Sequence, residues 1–133
     1  MISTHIVNWH PMDRSDPVIW IDIAKAESAW REDDFYVDVE AKTSGEVLKY
    51  KNFGEWIKCG ISIEMPHVSY EDGKLSFSNG RHRFAWLRDH GATSLPVTTY
   101  PSCEAELRQN LGSDDHVTRY SRSGDSPSQT LRP

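Results

Sequence analysis

Phe77-Ser78-Asn79-Gly80-Arg81-His82-Arg83-Phe84 is the stretch that decides the fold, because a strand end, a glycine turn and a helix start follow one another within it. The helix continues over 81–90, with Gly91 as its stop signal. The first backbone N–H groups of a helix are unpaired and point outward, where the helix dipole is positive. This pattern predicts a phosphate-binding turn formed by Asn79, Gly80, Arg81, His82 and Arg83.

The charge of this helix start supports a binding role. Arg81, His82 and Arg83 lie in the first turn, where the helix dipole disfavours cations by roughly 0.3–1 kcal/mol each. A bound polyanion would remove this penalty, because two guanidinium groups and an imidazole can hold several phosphate oxygens. In the alternative interpretation, the arginines are solvated or pair with acids such as Glu55 or Glu64, and His82 is a structural histidine. Lys49 and Lys51 either extend the basic rim of the site or form a solvated pair.

The segments on either side predict the rest of a small domain. Asp72-Gly73 suits a tight turn between two strands, and residues 95–99 follow as a strand with Pro96 at an edge or entry position. The alternation of strand and helix signals predicts an α+β fold, a small mixed sheet with flanking helices. The other predicted elements are a strand at 18–23, a helix at 23–30 capped by Asp22, a strand at 35–39, a helix starting at Asn52, and a last helix capped by Ser102. The tryptophans at 20, 30, 56 and 86 fall in periodic elements, which favours packing in the core over stacking on bases.

Composition divides the 133 residues into one domain and two flanking segments. Residues 1–17 contain Pro11 and Pro17 and show no period, so we expect an irregular lead-in. Residues 18–111 carry the periodic signals and are predicted to form the domain. Residues 112–133 are rich in Ser, Gly and Pro with few apolar residues, and we expect a flexible tail there.

Charge and cysteine content exclude several classes of protein. The formal net charge of −5 has the wrong sign for a protein that coats nucleic acid over its whole surface, so any polyanion site must be local. Cys59 and Cys103 are too few for a disulfide framework and lack zinc-site spacing. The sequence has neither a membrane-spanning run nor a signal-like N-terminus, so we expect a cytoplasmic protein without a membrane partner.

Residues 61–100 carry a family resemblance. The stretch FSNGRHRFAWLRDHGATSLPVTTY, preceded by IEMPHVSYEDGKL, resembles the ParB/sulfiredoxin superfamily, whose glycine turn matches Gly80-Arg81-His82-Arg83 and whose later strand matches Pro96-Val97. The resemblance implies that this turn holds a nucleoside triphosphate. Sulfiredoxin has a catalytic cysteine where this chain has Arg81, so we exclude sulfinic-acid repair.

Three segments together are similar to the plasmid fertility inhibition factors, small solitary ParB-like proteins that block conjugative or effector-DNA export. They are Trp30-Arg31-Glu32-Asp33-Asp34-Phe35-Tyr36, Phe53-Gly54-Glu55-Trp56 and the SNGRHRFA turn. This similarity implies a nucleotide-binding protein with ATP hydrolysis and DNA cleavage as expected activities. The implied partners are a nucleoside triphosphate with Mg²⁺, DNA, and a secretion or conjugation protein. The alternative is a non-catalytic interaction or immunity protein that binds such a component.

The candidate catalytic residues are His82 and Glu64. A histidine with an ordinary pKa of about 6.5 can exchange a proton near neutral pH, and flanking arginines favour its neutral ring. Glu64 could hold Mg²⁺ or orient water from a neighbouring strand. The six histidines show no i,i+4 pair, so we predict no dedicated transition-metal site.

Overall fold

The β-branched and aromatic run that starts at Val18 forms a strand in the computed structural model, which describes residues 4–43 and 46–121. This strand pairs antiparallel with residues 94–99 in a four-stranded sheet. The strands of the described chain are β1 (His5–Ile6), β2 (Trp9–His10), β3 (Val18–Asp22), β4 (Ile63–Glu64), β5 (His67–Glu71), β6 (Lys74–Asn79), β7 (Ser94–Thr99) and β8 (Arg119–Tyr120). The α-helices are α1 (Ile23–Trp30), α2 (Val47–Ile57), α3 (Arg81–Asp89) and α4 (Glu104–Leu111).

The main sheet has the strand order β3-β7-β5-β6. β7 pairs antiparallel with β3 and parallel with β5, while β5 and β6 form the predicted hairpin. Its turn is Asp72-Gly73, with φ of 53° and 75°, the left-handed pair that a two-residue hairpin turn requires. The predicted α+β fold with a small mixed sheet and flanking helices is confirmed.

The core lies between this sheet and the helices. Ile19 and Ile21 on β3 and Leu95 and Val97 on β7 are fully buried. Trp30 packs edge-to-face against Phe77 and Phe84, with ring centroids 4.7 and 5.4 Å apart. These aromatic contacts join α1, the end of β6 and the first turns of α3, and so anchor both ends of the Gly80 turn.

Helices α2 and α3 pack closely through a glycine. A Cβ atom on Gly54 would lie 2.5 Å from Nε1 of Trp86, so only glycine allows this approach. Farther along α3, Arg88 forms ion pairs with Glu27 at 3.0 Å and with Asp89 at 2.8 Å. Since all three side chains are mostly buried, this network fixes the C-terminal end of α3.

The sequence placed a strand at 35–39 and a helix start at Asn52, and both predictions are wrong. The Asp33 carboxylate accepts a hydrogen bond from the Phe35 N–H at 3.0 Å, and that of Asp38 binds the Thr43 hydroxyl at 2.7 Å, so this segment forms turns and a 3₁₀ turn at Val39–Ala41. Helix α2 begins at Val47, five residues before the expected cap, which places Asn52 within the helix.

Of the caps predicted for the first and last helices, that of Asp22 is confirmed and that of Ser102 is wrong. The Asp22 carboxylate accepts a hydrogen bond from the Lys25 N–H at 3.0 Å, as predicted for the start of α1. Helix α4 instead follows a 3₁₀ turn at Pro101–Cys103, and no side chain caps it.

Pro96 was expected at an edge or entry position and lies in the inner strand β7. The hydrogen bonds from β7 toward β5 begin only at Thr98. The missing N–H of Pro96 therefore removes no hydrogen bond from the sheet.

Both flanking segments contain strands, whereas the sequence predicted an irregular lead-in at residues 1–17 and a flexible tail at residues 112–133. β1 pairs with β8, and β2 pairs parallel with β4 through Trp9↔Ile63 and His10↔Glu64. Residues 112–121, assigned by the sequence to the tail, therefore return to the body of the protein, and Thr118 is buried with its hydroxyl 2.8 Å from the Ser94 carbonyl. The rest of the predicted tail, residues 122–133, lies outside the described residues.

Candidate functional site

A cleft of about 550 Å³ lies between α2 and the connection from β6 to α3. Lys49, Asn52, Phe53 and Trp56 form the helical wall, because positions i, i+3, i+4 and i+7 share one face of a helix. The opposite wall is Phe77, Ser78, Asn79, Gly80, Arg81, His82 and Arg83. All five residues predicted to bind phosphate therefore line a single cleft.

Gly80 is required at the turn for two reasons. Its φ of 91° lies in the left-handed region, and a Cβ would lie 2.8 Å from Cα of Pro66 and 2.8 Å from Nη2 of Arg83. No side chain caps the helix at this position, since Gly80 itself is the N-cap. The turn thus brings the backbone against Pro66 and leaves the first N–H groups of α3 without a capping side chain.

Arg83 is the buried cation of the site. Its side chain is 16% exposed, and burial lowers the pKa of its guanidinium despite the opposing charge of Glu64. The nearest Glu64 oxygen is 3.8 Å from Nη2, beyond hydrogen-bond distance. Among the described residues, neither Nε nor Nη2 of Arg83 has a hydrogen-bond partner. Two N–H-bearing nitrogens of a buried charged group are therefore unsatisfied, and neither nitrogen is exposed to solvent.

Arg81 has a different environment. Its Nη2 donates a hydrogen bond to Oε2 of Glu46, and its guanidinium carbon lies 5.3 Å from the ring centroid of Phe35. Lys49 binds the other oxygen of Glu46 at 2.8 Å. The hydrogen bond from Lys49 is the largest effect that lowers the pKa of Glu46, and the charges of Lys49 and Arg81 add to it. One ionised acid therefore holds two cations at the cleft.

His82 lines the same cleft and is partly buried. Burial lowers the pKa of its imidazole, and the charges of Arg81 and Lys49 lower it further, while Glu46 opposes them. These effects favour the neutral ring, the direction that the sequence predicted from the flanking arginines, although burial is the first cause and only Arg81 of the two contributes. The ring is therefore able to accept a proton near neutral pH.

Glu64 contacts the Gly80 turn through Asn79 but does not line the cleft. Its Oε1 accepts a hydrogen bond from the Asn79 amide at 3.2 Å and faces Arg83. It is absent from the set of residues that line the cleft among the described positions. Glu55, the other acid considered as a partner for the arginines, binds Lys58 at 3.0 Å instead. The alternative interpretation, in which the arginines pair with acids, therefore applies to both residues. Arg83 faces Glu64, as the sequence suggested, and Arg81 pairs with Glu46, which the sequence did not suggest.

Two residues of the helical wall were misjudged from the sequence. Trp56 was expected in the core but is 40% exposed at the cleft. Asn52 was expected to cap a helix, and its side chain lines the cleft instead. Of the two lysines considered as a basic rim, Lys49 lines this cleft, whereas Lys51 lines a separate groove on another side of α2. The signal was present, because Lys49, Asn52 and Trp56 have the spacing of one helix face once α2 begins at Val47.

Within residues 4–43 and 46–121, no three His, Cys, Asp or Glu side chains come together as a metal site. The two acids beside the cleft, Glu46 and Glu64, already contact cations or an amide. A divalent ion in this cleft would therefore depend on oxygens of its own ligand and on water. None of the helices in the described part of the chain combines the length and apolar character needed to cross a bilayer.

Fold and site together define a small α+β protein with a cationic glycine turn at the edge of a cleft. The family model of the plasmid fertility inhibition factor matches residues 18–112, and the chain belongs to this family. The chain also resembles a crystal structure of an Oncogenic Suppression Activity Protein, described as a plasmid fertility inhibition factor and solved as a gold(I) cyanide derivative. The TM-score is 0.62 at 18% identity, covering 86% of this chain and 71% of that one, which shows a shared fold. A comparison with curated proteins finds no match.

Proposed function

We propose that this fertility inhibition factor binds a nucleoside triphosphate in the cleft and acts on a component of conjugative or secretion-system DNA transfer. The observation that most directly supports nucleotide binding is the buried guanidinium of Arg83, whose Nε and Nη2 have no hydrogen-bond partner among the described residues. Leaving a buried donor unsatisfied costs about 1–3 kcal/mol, and more for charged groups. Both nitrogens are closed to solvent, so the Arg83 side chain would turn toward the cleft on binding. A phosphate oxygen that accepted these hydrogen bonds would then recover that cost.

The surroundings of Arg83 support an anionic ligand. Arg81 and Lys49 add two cations, against the carboxylates of Glu46 and Glu64. The uncapped N-terminus of the nine-residue helix α3 opens beside them. This combination of N–H donors, guanidinium groups and a glycine turn is suited to the several oxygens of a triphosphate.

The proposed cofactor is Mg²⁺ bound together with the nucleotide. Magnesium usually retains several waters and binds through substrate phosphates with one or two carboxylates, so the absence of a three-residue cluster among the described residues is compatible with this role. Magnesium would neutralise phosphate charge during hydrolysis. The expected chemistry is weak hydrolysis of the nucleotide or nicking of DNA, with neutral His82 accepting a proton from water and Glu64 in a supporting role.

A non-catalytic interaction protein is the second candidate, favoured by exposed apolar residues that do not line the cleft. Phe35 is 64% exposed although it lies under the Arg81 guanidinium, and Leu48 on α2 is 69% exposed. Contiguous apolar patches on a protein surface commonly mark sites where another protein binds. In this case the nucleotide acts as a switch, and the partner is a conjugation or secretion component.

Calorimetric titration with inorganic tripolyphosphate, ATP, CTP and GTP, with and without Mg²⁺, tests the binding proposal. We expect Arg83→Met to weaken binding about tenfold or more, because hydrogen bonds to charged groups contribute about 1.5–3 kcal/mol. Its melting temperature should stay equal or rise, since the variant removes an unsatisfied buried charge and keeps an apolar side chain of similar length.

Arg81→Ala should weaken binding at an unchanged melting temperature, because Arg81 is more exposed and its ion pair with Glu46 lies near the surface. Arg108→Ala is the matched control, since Arg108 is an exposed arginine that also pairs with a glutamate, at 3.0 Å on α4. Unchanged affinity in both cleft variants would place the site elsewhere. A marked loss of stability in Arg83→Met would show that this arginine is structural.

A further inference from the structure

Trp56 is a large apolar side chain left partly in solvent. The residues of α2 that pack into the core are Tyr50, Phe53, Gly54 and Ile57, whereas Trp56 is 40% exposed and lines the cleft. Leaving so much aromatic surface in water forgoes a favourable burial. An aromatic ring at the wall of a polar cleft is a feature of sites that bind a flat, partly apolar ligand group.

The position of Trp56 along α2 relates it to the cationic end of the cleft. Lys49 marks that end, because Lys49 and Arg81 bind the same carboxylate of Glu46. Trp56 lies seven residues farther along the helix, which is about 10 Å at 1.5 Å per residue. This separation is comparable to the span between the base and the phosphates of an extended nucleotide.

The ring of Trp56 has a defined support. Phe53 packs edge-to-face against it with ring centroids 6.1 Å apart, and Phe53 also packs against Trp86 of α3 at 5.7 Å. The close approach of Gly54 to Trp86 holds α2 against α3 at the same level. Because α3 also carries Arg81 and Arg83, the aromatic wall and the cationic turn are held in a fixed relation.

We propose that the base of the bound nucleotide stacks on Trp56, which makes the ligand of this cleft a nucleoside triphosphate rather than an inorganic polyphosphate. This inference rests on the proposed function, since it assigns the phosphates to the Gly80 turn. Every base has a flat π-face, so stacking alone discriminates weakly among bases. The affinities for ATP, CTP and GTP should therefore be similar.

Titration of Trp56→Ala with ATP, CTP and inorganic tripolyphosphate tests the inference. We expect both nucleotides to bind about tenfold more weakly, because base stacking on an aromatic ring contributes on this scale, while tripolyphosphate binding is unchanged. Trp56→Phe should restore most of the nucleotide affinity. Leu48→Ala is the matched control, because Leu48 is an exposed apolar residue of α2 outside the cleft.

The outcomes separate this inference from the proposed function. If tripolyphosphate binds normally and ATP affinity does not change in Trp56→Ala, the stacking inference is wrong and the triphosphate site stands. An equal loss for tripolyphosphate and nucleotides would show that Trp56 supports the shape of the cleft, which also overturns stacking. If neither tripolyphosphate nor any nucleotide binds the unmodified protein, both proposals fail.

Discussion

The Arg81 guanidinium donates a hydrogen bond to the Glu46 carboxylate, although the two residues are 35 positions apart in the sequence. The second oxygen of Glu46 binds Lys49 at 2.8 Å. The backbone of Glu46 has a φ of 52°, an unfavourable left-handed conformation for a residue other than glycine. Glu46 thus occupies cations that an anionic ligand would need, and the ligand must compete with this acid.

Replacing Glu46 by Gln should therefore strengthen anion binding. The variant retains the size of the side chain but removes the charge that competes for Arg81 and Lys49. We expect the affinity for tripolyphosphate to rise roughly threefold or more, the scale of a partly exposed ion pair. Calorimetric titration at low ionic strength measures this, and the gain should shrink as salt screens the charges.

Glu55→Gln provides the control for the same helix. Glu55 pairs with Lys58 at 3.0 Å and does not line the cleft. Glu55→Gln therefore changes the net charge by the same amount as Glu46→Gln but does not free Arg81. An equal gain in both variants would mean that overall charge, rather than release of Arg81, controls the affinity. Unchanged or weaker binding in Glu46→Gln would show that Glu46 organises the cations instead of competing for them.

Gly80 and Gly91 allow backbone strain to be separated from close packing. Both have a φ near 90°, but a Cβ on Gly91 meets nothing within 4 Å, whereas one on Gly80 would lie 2.8 Å from Cα of Pro66. We expect Gly91→Ala to cost about 1–2 kcal/mol of stability from the left-handed backbone. Gly80→Ala should cost about 1–3 kcal/mol more from overpacking.

Urea denaturation measures both losses in stability. Gly80→Ala should also weaken tripolyphosphate binding, because the added Cβ would displace the Arg83 guanidinium, 2.8 Å away. Gly91 follows α3 at the opposite end from the turn, so Gly91→Ala should leave ligand affinity unchanged. Similar stability losses in the two variants would show that the contact with Pro66 yields at little cost.

The features that the sequence predicted correctly are those governed by neighbouring residues. Asp72-Gly73 forms the hairpin turn because both residues tolerate positive φ, and Asp22 caps α1 because its carboxylate reaches an N–H three residues away. The Gly80 turn was predicted because the strand end, the glycine and the helix start are adjacent in the sequence. The strand expected at 35–39 failed because the side chains of Asp33 and Asp38 bind nearby backbone groups and outweigh the alternating pattern.

The contacts that define the cleft depend on the tertiary structure. Glu46 reaches Arg81 only because α2 packs against α3, an arrangement that the composition of neither helix reveals. Trp56 was expected in the core because a tryptophan with helical spacing usually packs there, and its exposure depends on how α2 is oriented. The burial of Arg83 next to Gly80 likewise results from the path of the chain at Pro66.

Protonation of His82 should link stability to mild acid. The folded pKa of His82 lies below the ordinary 6.5, because of burial and then of Arg81 and Lys49, with Glu46 opposing. The unfolded chain therefore takes up this proton at a higher pH than the folded protein does, so the free energy of unfolding falls as the pH drops below about 6.5. Glu46, whose pKa is lowered from 4.5, loses its stabilising effect only in a more acidic range.

The His82 ring can be titrated by NMR, and stability measured by urea unfolding at several pH values between 5 and 8. We expect a midpoint below 6.5 and a smaller loss of stability on acidification in His82→Gln than in the unmodified protein. Bound tripolyphosphate should raise the midpoint, because a nearby anion favours the charged ring. A midpoint above 6.5 in the free protein would mean that Glu46 outweighs burial and the neighbouring cations.

The last prediction concerns catalysis by His82 and Glu64. A neutral His82 ring beside Arg81 can accept a proton from water while the cations of the turn stabilise the phosphate charge. We expect Mg²⁺-dependent hydrolysis of ATP, or nicking of DNA, to fall by about 10²-fold or more in His82→Ala. Glu64→Gln keeps a side chain that can still bind Asn79 but removes the charge facing Arg83, and should lower turnover by a smaller factor.

Nucleotide affinity should be largely kept in both variants, so that the loss appears in turnover and not in binding. Released phosphate and DNA nicking are measured with saturating nucleotide, and EDTA addition tests the requirement for Mg²⁺. His116→Ala is the matched control, because His116 stacks on Trp20, with ring centroids 5.3 Å apart, and neither ring lines the cleft. If the protein binds nucleotide but its turnover is the same in the unmodified protein, His82→Ala and Glu64→Gln, the residual activity does not arise from this site. The non-catalytic interaction protein then becomes the better description, with the nucleotide as a switch and the exposed Phe35 and Leu48 as the first positions to test for partner binding.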